Sequence, residues 1–361
     1  MYVCGITPYE ATHIGHAATF VWSDAAVRLL RHLGLDVEVA RNITDVDDVL
    51  VDHARATGAS WRAVATQQTY RFEDDVAQLG VLTPTFEPQA HNHIEDVIAL
   101  TQALIELDRA YVRNGSVFFP GVDVVEEAGL SRAEAERLMV DGGGGPDGLE
   151  RDDPLDAALW MRSVGDEPAW ESPWGPGRPG WHAECAAMAL VTLGPGIDLH
   201  CGGADLAFPH HAFEAAHAEA VLGVKPFARA WLRAGTVAHS GEKMAKSTGN
   251  LVFVHDVLAR HSAAALRLAI LDRRWWESWE YDERLVGEAE ERVLRIRRAA
   301  MKAGTVDGHA RALAALCDDL DVPTALAVAE QVGGAAAEFV IDVLGLRHHE
   351  AVRRTALLPA P

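Results

Sequence analysis

The run of apolar and polar positions falls into segments of distinct period. Met1–Thr7 is a short apolar stretch broken by Gly5 and Pro8, and it predicts a strand. From Gly15 to His32 the apolar residues recur at helical spacing, and Gly34 supplies the stop. Asp36–Asn42 alternates as a strand does. Strand, helix and strand in that order imply a parallel crossover. Residues 60–80 and 92–113 predict two amphipathic helices. Between 120 and 180 lie DGGGGPDG (Asp141–Gly148) and SPWGPGRPG (Ser172–Gly180), too rich in Gly and Pro for regular structure. That region reads as an insertion whose loops reach back towards a site. From Trp181 the α/β pattern resumes: WHAECAAMALVTLG as a helix ended by Gly194, IDLHCGG as a strand, HHAFEAAHAEAVLG as a helix and ARAWLRAGTVAH as a further strand. Residues 285–347, rich in Ala, Leu, Arg and Glu at helical period, predict a helical C-terminal domain. No internal repeat is evident.

Composition narrows the classes. A chain of 361 residues has the length of two or three domains, and 49% hydrophobic with 24% charged residues suffices for packed cores, which excludes disorder and fibrous repeats. No stretch approaches the ~18 uncharged apolar residues of a membrane span, and the N-terminus carries no basic–apolar–small signal pattern. A cytoplasmic protein without a membrane partner is expected. The four cysteines (Cys4, Cys185, Cys201, Cys317) are too scattered for a disulfide framework. With 32 Lys+Arg against 53 Asp+Glu the net charge is −21, which argues against a salt-driven nucleic-acid binder while leaving room for a local basic patch.

Two segments carry phosphate chemistry. His13-Ile14-Gly15-His16 stands where a strand gives way to a helix, and a helix N-terminus offers free N–H groups and a positive dipole end. Gly15 lets a base or ribose approach the backbone, and His13 and His16 can point at one bound group and donate to phosphoryl oxygens. Taken alone, these four residues read better as two capping or surface histidines. The loop GEKMAKSTGN (Gly241–Asn250) brings Lys243, Lys246 and Ser247, and two mobile ammonium groups can fold over a triphosphate and stabilise departing pyrophosphate. Alone, it is a solvated loop. Together and in this order the two segments resemble the HIGH and KMSKS signatures of class I aminoacyl-tRNA synthetases, with Ala245 replacing the usual Ser. The resemblance implies an α/β fold: a Rossmann-like parallel-sheet catalytic domain that forms an aminoacyl-adenylate from an amino acid and ATP, with Mg2+ accompanying the nucleotide. On that basis 1–119 is the first half of the catalytic domain, 120–180 a connective insertion, 181–284 the second half with the lysine loop, and 285–361 the helical domain.

A metal site is also compatible with the spacing. Cys4 lies in the first strand; Trp181 and Cys185 share a helix face at i,i+4, as do His210 and Glu214 in the helix beginning at FPHH. Two thiolates and an imidazole are a normal zinc set, and a catalytic zinc keeps a position open for substrate. The alternatives are inert core cysteines and a histidine capping a helix start. PGWHAEC, DLHCGGADLAFPHH and the early Cys4 resemble cysteinyl-tRNA synthetase, in which zinc binds the thiol of the substrate. A pocket separates cysteine from serine poorly by shape, whereas soft Zn2+ prefers a thiolate strongly.

Ile6–Thr19 (ITPYEATHIGHAAT), HAEAVLG, AGTVAHSGEKMAKSTGNLVFV and LDVPTALA resemble a second group more closely: the actinobacterial cysteine ligases of mycothiol synthesis, which pass activated cysteine to the amine of glucosaminyl-inositol. The resemblance covers nearly the whole chain. It implies that Cys4, Cys185 and His210 hold one Zn2+. It further implies that Cys4, Gly5, Ile6, Thr7, Thr19, Asn42, Ile43 and Thr44 line the cysteinyl-adenylate, and that Trp181 flanks the cysteine. Gly203, Ala204 and Asp205 approach the ribose, Val237 touches adenine, and His13, His16, Lys243 and Lys246 stabilise the reacting phosphorus and pyrophosphate. The expected partners are L-cysteine, ATP and glucosaminyl-inositol, without nucleic acid, acting on a monomer. A cysteinyl-tRNA synthetase-like enzyme and a non-catalytic paralogue are the alternatives. No general base is assigned for transfer, Asp205 being a candidate. Four departures bear on this, one being RRWW (Arg273–Trp276) in place of a His/Tyr-rich stretch, whose plain reading is packing under the helical domain. The insertion reads Asp141-Gly-Gly-Gly-Gly-Pro146 where the ligases carry an ERGGDP-like motif with Arg. Glu214 occupies the place of a fourth zinc ligand of the tRNA enzymes. Lastly, the chain begins directly at the first strand, so either Met1 is an internal start or an N-terminal arm is absent.

Overall fold

The computed structural model describes residues 1–141, 150–245 and 248–347. In chain order its elements begin β1 (Tyr2–Ile6), α1 (Ile14–His32), β2 (Ala40–Ile43), α2 (Asp48–Thr57), α3 (Trp61–Gln78) and α4 (Ile94–Glu106). There follow β3 (Tyr111–Arg113), β4 (Ser116–Phe119), α5 (Val122–Glu127), α6 (Arg132–Asp141), β5 (Ala157–Arg162) and β6 (Gly177–Pro179). Next come α7 (Trp181–Leu193), β7 (Ile197–Gly203), α8 (Ala212–Leu222), β8 (Ala228–Ala234), β9 (Val237–His239) and β10 (Glu242–Lys243). The chain closes with α9 (Val254–Leu258), α10 (Ala263–Leu271), β11 (Trp279–Glu280), α11 (Glu283–Ala300), α12 (Gly308–Cys317), α13 (Val322–Val332) and α14 (Gly334–Val343). Among the described residues no helix is long and apolar enough to cross a membrane.

Two compact units divide this chain. The first comprises Met1–Ala11, Glu38–Phe72 and Pro84–Ala234. Its centre is a parallel sheet in the order β2-β1-β7-β8, so the expected α/β class with a parallel sheet is what the structure has. β1 and β2 are buried along nearly their whole length, as strands of a covered parallel sheet must be. One core cluster unites Tyr2, Cys4 and Ala40 of this sheet with Cys185 and Ala189 of α7, which places both thiols against the sheet. A larger cluster joins Val97, Leu100 and Leu104 of α4 to Phe119, Leu159, Met188 and Phe213.

The second unit comprises Thr12–Val37, Glu73–Thr83 and Gly235–Pro361. It holds α1, the small sheet β10-β9-β11 and the helices α9–α14. Arg267, fully buried on α10, anchors it by donating to the Asp24 carboxylate of α1 at 2.5 Å and to the carbonyls of Leu79 and Leu344.

Several sequence expectations change. Asp36–Val39 is not strand: Asp36 and Glu38 are exposed and pairing starts at Ala40. The amphipathic stretch 92–113 ends as a helix at Glu106, because Asn114 and Gly115, at φ 48° and 85°, turn β3 into β4 as a hairpin. The stretch 120–180 is more regular than its Gly and Pro content suggested, with α5, α6, β5 and β6 completing an antiparallel sheet in the order β3-β4-β5-β6. Asp48–Thr57, left unassigned by the pattern, is α2, capped by the Asp47 side chain on the Val49 N–H. The single strand expected over ARAWLRAGTVAH is two strands in different sheets. Gly142–Gly148, where the altered insertion motif falls, lies outside the described residues.

Candidate active site

The candidate residues divide between the two units. In the first, Cys4 Sγ from β1, Cys185 Sγ from α7 and a ring nitrogen of His210 lie within 4.8 Å of one another, all three residues buried. Ligands at tetrahedral angles around an ion, with Zn–S about 2.3 Å and Zn–N about 2.0 Å, lie under roughly 4 Å apart, so a trio within 4.8 Å closes on such an ion with a small adjustment of its side chains. His210 is not delivered by a regular helix, as the spacing suggested. It belongs to a wide turn, Ala207–His211, in which Phe208 is extended (φ −141°, ψ 136°), and α8 starts only at Ala212. Burial pushes both thiols up and holds the imidazole well below its ordinary range, so all three are neutral by themselves. A soft divalent cation held by them would reverse that preference and displace the thiol protons.

Asn42 ties this trio to the sheet. Its Oδ1 accepts the Gly5 N–H at 2.9 Å and its Nδ2 donates to Cys185 Sγ at 3.2 Å. The fit needs a glycine: a Cβ on Gly5 would lie 1.6 Å from the Asn42 carbonyl oxygen. One step along, the hydroxyls of Thr7 and Thr44 are 2.8 Å apart, and Thr44 also donates to the Ile6 carbonyl. Ile6 and Ile43 are buried, and the Ile43 N–H donates to the Pro88 carbonyl. Trp181 opens α7 with its ring stacked on His210, centroids 4.0 Å apart. Gly203 ends β7 at its carboxyl end, the edge where parallel sheets receive ligands, and Ala204 and Asp205 begin the single turn beyond, with Asp205 exposed.

Further buried groups here escaped the sequence reading. His182 shares an Nδ1–Nδ1 contact of 2.9 Å with His210. Glu184 is fully buried, and neither carboxylate oxygen has a hydrogen-bond partner among the described residues. Burial, with Asp47 the nearest charge in effect, pushes its carboxyl well above the usual range. The available signal was two polar letters inside the otherwise apolar run of α7. Glu214, the expected occupant of a fourth ligand position, turns its carboxylate to His200 Nε2 at 2.9 Å and to the Cys4 thiol at 3.7 Å. It groups with Cys4, His200 and His211 rather than with Cys185 and His210.

In the second unit His13 caps α1, its Nδ1 accepting the Gly15 N–H at 3.1 Å. A Cβ on Gly15 would lie 2.8 Å from that ring, so glycine admits the cap. An Nδ1 that accepts leaves the proton of the neutral ring on Nε2, free to be donated onward. Burial, reinforced by His16 and Lys243, pushes His13 down to about 2. The His13 and His16 rings stack with centroids 3.8 Å apart. Thr19 is buried on α1, Val237 is buried in β9, and Lys243 is exposed on β10. Lys246 and Ser247 lie outside the described residues.

Comparison with known proteins identifies the family. Residues 1–291 match the family model of the tRNA synthetases class I (C) catalytic domain. The L-cysteine:1D-myo-inositol 2-amino-2-deoxy-alpha-D-glucopyranoside ligase of Corynebacterium aurimucosum is 41% identical, over 95% of this chain and 87% of the relative. The protein of the same name from Gordonia bronchialis is 44% identical, over 90% and 82%. Among solved structures, Mycobacterium tuberculosis methionyl-tRNA synthetase in complex with methionyl-adenylate superposes at a TM-score of 0.65 with 17% identity, covering 95% of this chain and 81% of that one, which speaks for the fold. The chain therefore belongs to the class I (C) tRNA synthetase catalytic-domain family and, within it, to the family of the L-cysteine:1D-myo-inositol 2-amino-2-deoxy-alpha-D-glucopyranoside ligases.

Proposed function

We propose that this protein activates L-cysteine with ATP as cysteinyl-adenylate and transfers it to the amine of glucosaminyl-inositol, working in the cytoplasm on small molecules as a monomer and without nucleic acid. The observation that carries the cysteine assignment is the convergence of Cys4, Cys185 and His210. Zinc bound there would supply a soft Lewis acid that prefers the substrate's sulfur to the oxygen of serine. Asn42 orients the Cys185 sulfur, and Trp181 holds the His210 ring face and walls the amino-acid pocket. The substrate carboxylate attacks the α-phosphorus of ATP, which enters with Mg2+, and the bond to the β-phosphate breaks to release pyrophosphate. His13 donates from Nε2 to the phosphoryl oxygens as charge grows there, and Lys243, with His16 and Lys246, balances the departing charge. Being neutral, His13 does this without spending a proton. Thr7, Thr44 and the turn Gly203–Asp205 hold the adenylate. The acceptor nitrogen then attacks the mixed anhydride carbonyl, AMP leaves, and the ammonium proton is lost to solvent or to a base such as Asp205.

Cysteine-dependent exchange of labelled pyrophosphate into ATP tests the first step, with serine as the control. Incubation with glucosaminyl-inositol and, separately, with tRNA tests the second. The proposal expects exchange with cysteine alone and discharge of the adenylate by the amino sugar alone. Absence of exchange refutes the activation step, and discharge by tRNA alone refutes the acceptor.

A further inference from the structure

The side chain of Asn250, at the end of the lysine loop, makes more bonds than any of the loop's neighbours require. Its Nδ2 lies 2.8 Å from the His239 carbonyl, 3.1 Å from that of Glu242 and 3.2 Å from that of Lys243. Its Oδ1 accepts the Ala245 N–H at 3.0 Å and the Thr248 hydroxyl at 2.6 Å. A carboxamide offers two N–H groups and two lone pairs, so five contacts use it to capacity, with one N–H shared between carbonyls. These partners span both strands of the β9–β10 hairpin, and Ala245 and Thr248 beyond it.

Asn250 is also close in sequence to a second attachment. Two residues on, the Val252 carbonyl accepts the Ile14 N–H at 2.9 Å, and the Val254 N–H donates to the Thr12 carbonyl at 2.9 Å. This antiparallel bridge sets Phe253 opposite His13. The chain leaving the lysine loop is therefore bonded to the residues that flank the His13 cap, and Asn250 fixes the loop just before that attachment.

We propose that Asn250 is a positioning residue for adenylate formation: its carboxamide holds the backbone of His239–Ala245 in the register that presents Lys243 to the phosphates handled by His13. The inference rests on the adenylate-forming activity proposed above. Because the loop serves departing pyrophosphate, Asn250 acts on the first step and leaves the transfer step alone.

The test uses the full-length zinc-loaded protein and the variants Asn250→Ala and Asn250→Asp, the latter similar in shape but turning a carboxylate towards three carbonyls. Pyrophosphate exchange is measured against cysteine and against ATP. In a separate experiment, adenylate is accumulated with pyrophosphatase present, glucosaminyl-inositol is added, and the single-turnover discharge is followed. Both variants are expected to lose about 10²-fold in exchange kcat, the scale of a misplaced catalytic group, with the KM for cysteine and the discharge rate within threefold of the parent. Thr248→Val, which removes a hydroxyl shared between Oδ1 and the Ala245 carbonyl at 2.7 Å, is expected to show the same split at a smaller scale, and it answers the question if either Asn250 variant fails to fold. Exchange within threefold of the parent in every folded variant overturns the inference, as does a parallel fall in both steps. Silence of the parent protein instead removes the activity on which the inference rests, so the two failures are told apart.

Discussion

Asn42 shows how one polar side chain can decide the geometry of a site. It is buried, in a strand buried along its whole length, and it links the Gly5 N–H on one side to the Cys185 sulfur on the other. Groups that orient a metal ligand from behind typically alter affinity about 10–100-fold when removed. Asn42→Ala is therefore expected to weaken zinc binding by that factor while one equivalent still binds at saturation. Competition against a chelating dye measures it, and an unchanged affinity would remove Asn42 from the site. At this scale Cys4, Cys185 and His210 were singled out together by spacing and resemblance, and the structure brings them together. Asn42 was expected only to line the adenylate, and its bond to the Cys185 sulfur was not foreseen. Glu184 and His200 were not legible, because a buried carboxylate or imidazole is created by what packs over it, and nothing local in the sequence states that both end fully enclosed.

Helix α1 joins structure to chemistry at its first turn. The same His13 ring that closes the helix through Nδ1 keeps a donor at Nε2. The two roles separate by substitution. Asparagine is a good N-cap, so His13→Asn is expected to keep stability within about 0.5 kcal/mol, whereas His13→Ala loses about 1 kcal/mol. Neither sets a donor where Nε2 stands, Ala having none and the Asn Nδ2 sitting on a shorter side chain, and both are expected to lower exchange about 10²–10³-fold, the scale of one oxyanion-stabilising group. Urea midpoints beside exchange rates measure the pair; retained exchange in His13→Asn would confine His13 to capping. Elements with strong signals were legible before the structure: α1, α7 and β7 lie close to where period and glycine stops put them. The β3–β4 hairpin was missed although Asn114-Gly115 is a strong turn signal, because a helical stripe of apolar residues ran up to it. β8 and β9 were merged because the break at Gly235-Thr236 is a change of sheet, which leaves the local β pattern intact.

For the molecule as a whole, charge and burial oppose each other in acid. The chain carries −21 at neutral pH, yet it also encloses histidines that cannot accept a proton without leaving their surroundings. His217 is the clearest case. It is fully buried on α8, Phe119 meets its ring edge-on at 4.8 Å, and neither nitrogen has a partner among the described residues. Burial holds its pKa well below the ordinary 6.5, with His182 adding to the effect. The sign follows directly: above 6.5 the folded and unfolded forms are both neutral at this position, so it costs nothing there. As pH falls below 6.5 the unfolded form takes up a proton that the folded form refuses, and stability drops by about 1.4 kcal/mol per pH unit for each such group. His217→Leu fills a similar volume and removes nitrogens that have nothing to bond. Its stability at pH 8 is expected to equal or exceed the parent's, and its loss between pH 6.5 and 5 to be smaller by about 2 kcal/mol. Urea unfolding across that range measures the difference. Parallel profiles would mean that His217 titrates normally and that the aromatic cage around it opens to water.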